Sequence, residues 1–199
     1  MLNILKLIGD KQLKPIKMKN EENRQPQIYR CLSSLLDYPT PNLVEQTRQG
    51  IDLLKKDYPQ SAQQMASFLS FVESTPLGRL EEVYTGTFDI NPACHIFAGH
   101  ILFGESFKRG AFMARLTEEY QKREFETGKE LADHIPLLLK LLGTLEPNDT
   151  FAKDLISDCL IPVFQKMNAN FEEDSQNPYV PVLRSALVVL ERAKPKTRP

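Results

Sequence analysis

Two groups of side chains have the residue types that catalysis or metal binding requires, and the first is Cys94, His95 and His100. A structural zinc site needs four such ligands at recognised spacings. Two histidines share a helix face when they lie four residues apart, whereas His95 and His100 lie five apart. The chain has no CxxC and no HExxH motif. This pattern predicts a packed thiol and two ordinary imidazoles, with no metal site.

The second group is Asp133 followed by His134, residue types that can act as a general base when the carboxylate orients the imidazole. Adjacent residues on a helix point in different directions, so direct pairing is not expected. Asp133 comes just before an apolar run that ends at Leu142, which favours its interpretation as a helix N-cap. These residue types leave one enzymatic interpretation open as an alternative function for the chain, a small helical metal-dependent enzyme that uses His100, Asp133 and His134.

Helical periodicity dominates the sequence from residue 27 onward. Apolar residues recur at intervals of three and four, beginning with Ile28, Leu32, Leu35 and Leu36. No period-2 strand of usable length is present, and nine glycines in 199 residues are too few for a turn-rich β fold. The sequence therefore predicts an all-α fold, a single-domain helical bundle of about eight or nine helices.

Several residues predict where individual helices begin, bend or end. The nearly continuous apolar run of residues 94–103 predicts a helix that is buried on most sides. Asn148 is the predicted N-cap of a later helix, and Pro162 is expected to kink that helix. Residues 128–133 are polar and predict a hinge between two helices.

Charge divides the chain into three parts. Residues 1–26 hold six basic and three acidic side chains, and residues 191–199 hold four basic and one acidic. The body 27–190 holds 15 basic and 22 acidic side chains, which gives it a net charge of −7. We therefore predict a flexible basic N-terminal extension (1–26), a helical domain (27–190) and a basic C-terminal tail (191–199). An acidic body excludes nucleic acid as the expected partner and favours a basic peptide.

Features of the chain that bear on its compartment point to the cytoplasm. No apolar run approaches the roughly 18 residues that span a bilayer, so no stable membrane insertion is expected. The first apolar residues precede the lysines, which reverses the order of a secretory signal. An odd number of widely spaced cysteines fits reduced thiols. For the N-terminal extension, a short amphipathic anchor built on Leu2, Leu5 and Ile8 is the alternative to a mobile arm.

A turn and three glycines in the middle of the chain call for an explanation. Asp89 and Pro92 predict a tight turn between two helices. Gly99, Gly104 and Gly110 fall in otherwise helical sequence, where each costs about 1 kcal/mol relative to alanine. Glycines at such positions indicate either close helix crossings or a surface that receives a partner's backbone.

Five runs of residues resemble those of one known family in their order and spacing. They are RCLSSLLDYP (30–39), YTGTFDINPAC (84–94), GHILFGE (99–105), KRGAFM (108–113) and ELADHIP (130–136). The family is the nitrate reductase delta-subunit family of molybdoenzyme assembly chaperones, and the resemblance spans roughly residues 27–190. Ala132 stands where the family's hinge motif has a proline, which predicts a more flexible connection.

The resemblance implies an all-helical cytoplasmic chaperone that is not itself an enzyme. Its client would be the apo catalytic subunit of a molybdoenzyme of the nitrate reductase or nitrite oxidoreductase type, including the N-terminal segment of that subunit. The chaperone would keep the client competent for insertion of the molybdenum cofactor before membrane docking. The cofactor therefore belongs to the client, and the chaperone binds none permanently. A monomer or a weak homodimer is expected.

The expected recognition mode is an amphipathic client helix lying in a groove, with its basic residues near Asp89 and Asp133. The region predicted to bind the client comprises Tyr84, Phe88, Asp89, Pro92, Phe97, Gly99, His100, Phe103, Arg109 and Phe112. The predicted moving hinge comprises Gly128, Asp133, His134 and Pro136. Aromatic residues at helical spacing are also typical of plain core, and that interpretation stays open for each phenylalanine.

Overall fold

Helices make up nearly all the regular structure of residues 24–90, 94–173 and 175–194, which the computed structural model describes. The helices are α1 (Arg24–Leu36), α2 (Leu43–Leu54), α3 (Pro59–Ser74), α4 (Leu77–Phe88), α5 (Ala98–Phe103), α6 (Phe107–Lys122), α7 (Ile135–Leu142), α8 (Thr150–Asp154), α9 (Ile161–Ala169) and α10 (Val180–Ala193). A π-helical segment (Leu155–Leu160) joins α8 to α9 in one continuous stretch. These ranges thus hold nine helical stretches, and the all-α prediction is confirmed.

The first and last described helices both extend across the predicted limits of the helical domain. Helix α1 begins at Arg24, three residues before the predicted start of the helical domain, and α10 runs to Ala193, inside the predicted tail. Residues 1–23 of the predicted extension and Pro92 lie outside the described residues. No helix in the described part of the chain is long and apolar enough to cross a membrane.

Helix α1 packs against α2 and α7 and so lies at the centre of the core. Its apolar face, read from the three- and four-residue spacing, is buried as predicted. Helix α7 is apolar on every side, and all its residues except Lys140 are buried. A hydrogen bond of 2.7 Å from the Ser33 hydroxyl to the Pro136 carbonyl joins the two helices. This packing fixes the position of the residues that directly precede α7.

Tyr84 and Phe88 belong to an aromatic cluster in the core. The Phe88 ring centroid lies 4.9 Å from the centroids of both Tyr84 and Tyr179. The Tyr84 hydroxyl donates to the Leu36 carbonyl at 3.2 Å. Each such aromatic pair contributes about 0.5–1.5 kcal/mol beyond its buried area. The cluster therefore holds α4 against the rest of the bundle.

Two predictions of helix starts are wrong. The helix expected over residues 94–103 begins only at Ala98, because the preceding residues pair with the hinge. Ala98 N–H donates to the Asp133 carbonyl at 2.8 Å, and Ile135 N–H donates to the Ile96 carbonyl at 2.9 Å. Asp149, and not its neighbour Asn148, caps α8, since the Asp149 side chain accepts from Ala152 N–H at 3.1 Å.

The disturbance expected at Pro162 takes the form of the π-helical segment. Proline lacks an N–H group and its ring crowds the carbonyl four residues earlier. The turn before Pro162 is widened, and Ile161 N–H donates to the Ile156 carbonyl, five residues back. Single π-helical turns of this kind are common near functional sites.

Candidate functional site

A buried ion pair between Arg109 and Asp133 forms the centre of the candidate site. Arg109, on α6, donates from Nε to Asp133 Oδ2 at 2.9 Å and from Nη2 to Oδ1 at 3.5 Å. The Asp133 side chain has no exposed surface, and that of Arg109 is 21% exposed. The prediction that Asp133 is an N-cap is wrong, because His134 occupies the cap position of α7. The Asp133 carboxylate is already bound within the chain, whereas Asp89 is exposed.

Gly99 lies directly against this ion pair. A Cβ atom at Gly99 would lie 2.7 Å from Asp133 Oδ2, 3.0 Å from Arg109 Cγ and 3.2 Å from Phe112 Cδ1. Only glycine permits such a close approach. Of the two explanations for the central glycines, a close crossing within the chain applies here. Gly104 has a different reason, since its φ of +61° lies in the left-handed region that favours glycine.

His134 pairs with Phe97 beside the ion pair. The two residues form an isolated antiparallel β-bridge, and their ring centroids lie 5.6 Å apart. The Arg109 guanidinium carbon lies 5.7 Å from the centre of the Phe97 ring. Burial lowers the pKa of His134 below its ordinary value of 6.5, and the nearby carboxylates, Glu130 foremost, partly oppose that effect. His134 is therefore neutral at neutral pH.

The lowered pKa of His134 makes stability depend on pH. Between the folded pKa and about 6.5 the unfolded chain binds more protons at this residue, so stability falls as the pH drops through this range. We expect the urea midpoint to fall between about pH 7 and pH 5, and to fall less steeply in His134→Gln. Urea unfolding followed by circular dichroism at each pH checks this. Equal slopes in the two proteins would contradict it.

The ten residues predicted to contact a client are divided between the core and the surface. Three are buried (Tyr84, Phe88 and Gly99), four are half-buried (Phe97, His100, Arg109 and Phe112) and two are exposed (Asp89 and Phe103). The tenth, Pro92, lies outside the described residues. Apart from the α4 pair, most of the described members meet around α5 and the start of α6. The ring centroids of Phe103 and Phe112 lie 5.5 Å apart.

Phe107, the first residue of α6, is fully exposed and is not among the residues predicted from the sequence. Phe112 shares a helix face with the buried Leu116 and Tyr120, since these residues are spaced at intervals of four. Phe107 lies five residues before Phe112 and therefore projects from a different side of α6. This spacing is the signal in the sequence for the outward position of Phe107. The fully exposed Phe107 ring has no packing role in its own chain, and it becomes a candidate for an interaction site only together with its uncovered surroundings.

The outer face of α6 is uncovered next to Phe107. Helix α6 packs chiefly against α5. An open cavity of about 650 Å³ lies there, lined by Glu105, Ser106, Phe107, Gly110 and Ala111. A Cβ atom at Gly110 would meet nothing within 4 Å. We name Phe103, Phe107, Gly110 and Ala111 the α5–α6 surface. Small residues beside exposed aromatic ones form a depression that can receive side chains of another helix.

The predicted hinge is anchored at its C-terminal end. The Tyr120 hydroxyl donates to the Ala132 carbonyl at 2.8 Å, and Pro136 is buried in the first turn of α7. The exposed part is Gly128 and the residues that follow it to Leu131. Gly128 has a φ of +64°, which favours glycine.

The three residues of the enzyme alternative have different nearest neighbours. The His100 ring centroid lies 4.2 Å from that of His95, Asp133 binds Arg109, and His134 Nδ1 lies 3.8 Å from Glu130 Oε2. Over the described ranges, no group of three or more His, Cys, Asp and Glu side chains could hold a metal ion. The geometry of these residues therefore gives that alternative no support.

Sequence comparison assigns the family. The family model for the nitrate reductase delta subunit matches residues 52–183, well over half of the chain. That range contains every residue predicted for client binding and for the hinge. The chain belongs to the nitrate reductase delta-subunit family. The resemblance identified in the sequence motifs is thereby confirmed.

A solved structure shares the fold of this delta-subunit family member. It is a protein from Archaeoglobus fulgidus described as a redox enzyme maturation protein, with a TM-score of 0.54 and 18% sequence identity. The likeness covers 84% of this chain and 93% of that chain, and at such identity it shows the fold alone. No curated protein sequence matches the chain.

Proposed function

We propose that this delta-subunit family member binds, in the cytoplasm, the apo catalytic subunit of a nitrate-reductase-type molybdoenzyme, including its N-terminal segment. It keeps that subunit competent for insertion of the molybdenum cofactor before membrane docking. The cofactor is bound by the client, and the chaperone holds none permanently. The observation that carries the proposal is the α5–α6 surface, an uncovered aromatic surface built from the motif residues 99–113.

The physical basis of client binding is burial of exposed aromatic side chains next to acidic ones. Burying one phenylalanine removes its ring from water and contributes about 1.5–3 kcal/mol. Phe107 is 100% exposed, so its contribution is not used within the chain, and Phe103 retains an exposed fraction of 37%. Glu105 lines the same depression, and the acidic body attracts a basic peptide. An amphipathic client helix with basic residues beside its apolar face fits both features.

Phe107→Ala is expected to weaken client binding without weakening the fold. Removing an aromatic anchor typically costs about 1–2 kcal/mol, a factor of about 5–30 in the dissociation constant. Because the Phe107 ring is fully exposed, the free energy of unfolding should change by less than about 0.5 kcal/mol. Calorimetric titration with the N-terminal peptide of the co-purified catalytic subunit measures the first effect, and urea denaturation measures the second.

Val188→Ala is the matched control for that variant. Val188 is an apolar residue on α10 and is 46% exposed. Helix α10 packs on α3 and α9, away from the outer face of α6. The control should bind the peptide as the unchanged protein does. Equal losses in the two variants would show that exposed apolar area in general, and not the α5–α6 surface, determines binding.

A further inference from the structure

A second cavity, of about 240 Å³, lies between α1, the hinge and α7. Its lining includes three carboxylates, from Asp37, Glu126 and Glu130, and one ammonium group, from Lys140. The Lys140 ammonium lies 6.0 Å from the centre of the Phe125 ring, and no ion pair in the described ranges joins it to the carboxylates. The walls therefore carry two more negative than positive charges at neutral pH.

His134 also lines this cavity, and its imidazole makes no hydrogen bond to the residues that the structure describes. Its side chain is only 7% exposed, and its closest carboxylate oxygen, Glu130 Oε2, lies 3.8 Å from Nδ1, beyond hydrogen-bond distance. Buried polar groups are normally hydrogen-bonded. A neutral imidazole also has one nitrogen that accepts a hydrogen bond. A ligand that enters the cavity and carries a donor can supply a hydrogen bond to this nitrogen.

We propose that this cavity, which we name the basic-residue pocket (Asp37, Glu126, Glu130 and His134), binds one basic side chain of the client. A guanidinium group offers several donors in one plane, so it can serve a carboxylate and an imidazole at the same time. An ammonium group supplies the same charge with three donors. The source of the side chain rests on the proposed function, whereas the chemistry of the pocket does not.

The basic-residue pocket also accounts for the charge complementarity that the sequence analysis assigned to Asp133. The Asp133 carboxylate is fully buried and bound to Arg109. The adjacent Glu130 carboxylate belongs to an exposed residue of the hinge and faces the pocket. A basic client residue would thus contact the hinge itself, and binding would fix the exposed segment between Gly128 and Leu131.

The pocket can be tested with small probes that do not depend on the client. Arginine amide, lysine amide and citrulline amide, each acetylated at the α-amino group, are titrated to millimolar concentration, and the imidazole signals of His134 are followed by NMR. Citrulline has nearly the shape of arginine but no charge. We expect a saturable shift with arginine amide and a response at least about tenfold weaker with citrulline amide. A saturable response to lysine amide as well would show that charge, and not the guanidinium fork, is recognised. An equal response to citrulline amide would overturn the proposal.

Two double variants decide whether the pocket carboxylates are responsible. Glu126→Gln/Glu130→Gln keeps the side-chain shape and should weaken arginine amide binding at least about tenfold, because two nearby charges are lost. Glu45→Gln/Glu73→Gln changes exposed glutamates on α2 and α3 and should bind as the unchanged protein does. Unaltered binding by the first variant would overturn the pocket while leaving the α5–α6 surface intact. If the unchanged protein binds arginine amide but no catalytic subunit co-purifies with it, only the proposed function would be contradicted.

Discussion

Arg109→Met is expected to lower the free energy of unfolding by about 3–5 kcal/mol, the usual effect of removing one partner of a buried ion pair. The Asp133 side chain has no exposed surface, and within the described residues Arg109 is its hydrogen-bonding partner. Methionine keeps the length of the side chain but leaves that carboxylate buried without a compensating charge. Urea denaturation of both proteins at neutral pH measures the difference.

Two further variants test whether the unpaired charge is the cause. Arg115→Met changes an exposed arginine on the same helix and should shift stability by no more than about 0.5 kcal/mol. The double variant Arg109→Met/Asp133→Leu removes both charges and should recover a large part of the loss, since an apolar pair can replace a buried ion pair. The interpretation fails if Arg109→Met is as mild as Arg115→Met.

Gly99→Ala is expected to destabilise the protein by about 1–3 kcal/mol, the typical effect of overpacking a tight contact. The added methyl group would lie 2.7 Å from Asp133 Oδ2 and 3.2 Å from the Phe112 ring, so the ion pair and the α5–α6 crossing must both shift. The same shift displaces Phe103 and Phe107, so peptide binding should weaken as well. Thermal unfolding and calorimetric titration measure the two effects.

Gly110→Ala is the matched control, because this glycine lies in the adjoining helix α6. A Cβ atom there meets nothing within 4 Å, and the residue is exposed. Replacing a helical glycine in open space by alanine should stabilise the protein by about 0.4–1 kcal/mol. A gain in stability in both variants would show that helix propensity, and not the close crossing, governs residue 99.

The helices could be predicted from the sequence because their apolar spacing and prolines are local signals. The failures come from contacts between distant residues. The Cys94–Phe97 segment is apolar enough for a helix, yet its backbone pairs with the hinge nearly forty residues later. Asp133 fits the local rule for an N-cap, but an arginine 24 residues earlier competes successfully for its carboxylate.

The candidate site could be predicted only as a region. The motif positions indicated a stretch of the chain, but spacing alone does not tell a core phenylalanine such as Phe88 from a surface one such as Phe103. The outward position of Phe107 could be predicted from the sequence, because this residue is out of phase with Leu116 and Tyr120 in the helical period. The basic-residue pocket could not be predicted from the sequence, since it brings Asp37 together with residues more than 80 positions away.

The most direct test of the account is affinity co-purification of the tagged protein from its native cytoplasm, with mass spectrometry and molybdenum analysis of what is recovered. We expect the large catalytic subunit of a nitrate-reductase-type molybdoenzyme in its apo form. Its yield should be similar with Val188→Ala and much lower with Phe107→Ala. Recovery of the chain without any such subunit, or with only the molybdenum-loaded form of it, would contradict the account.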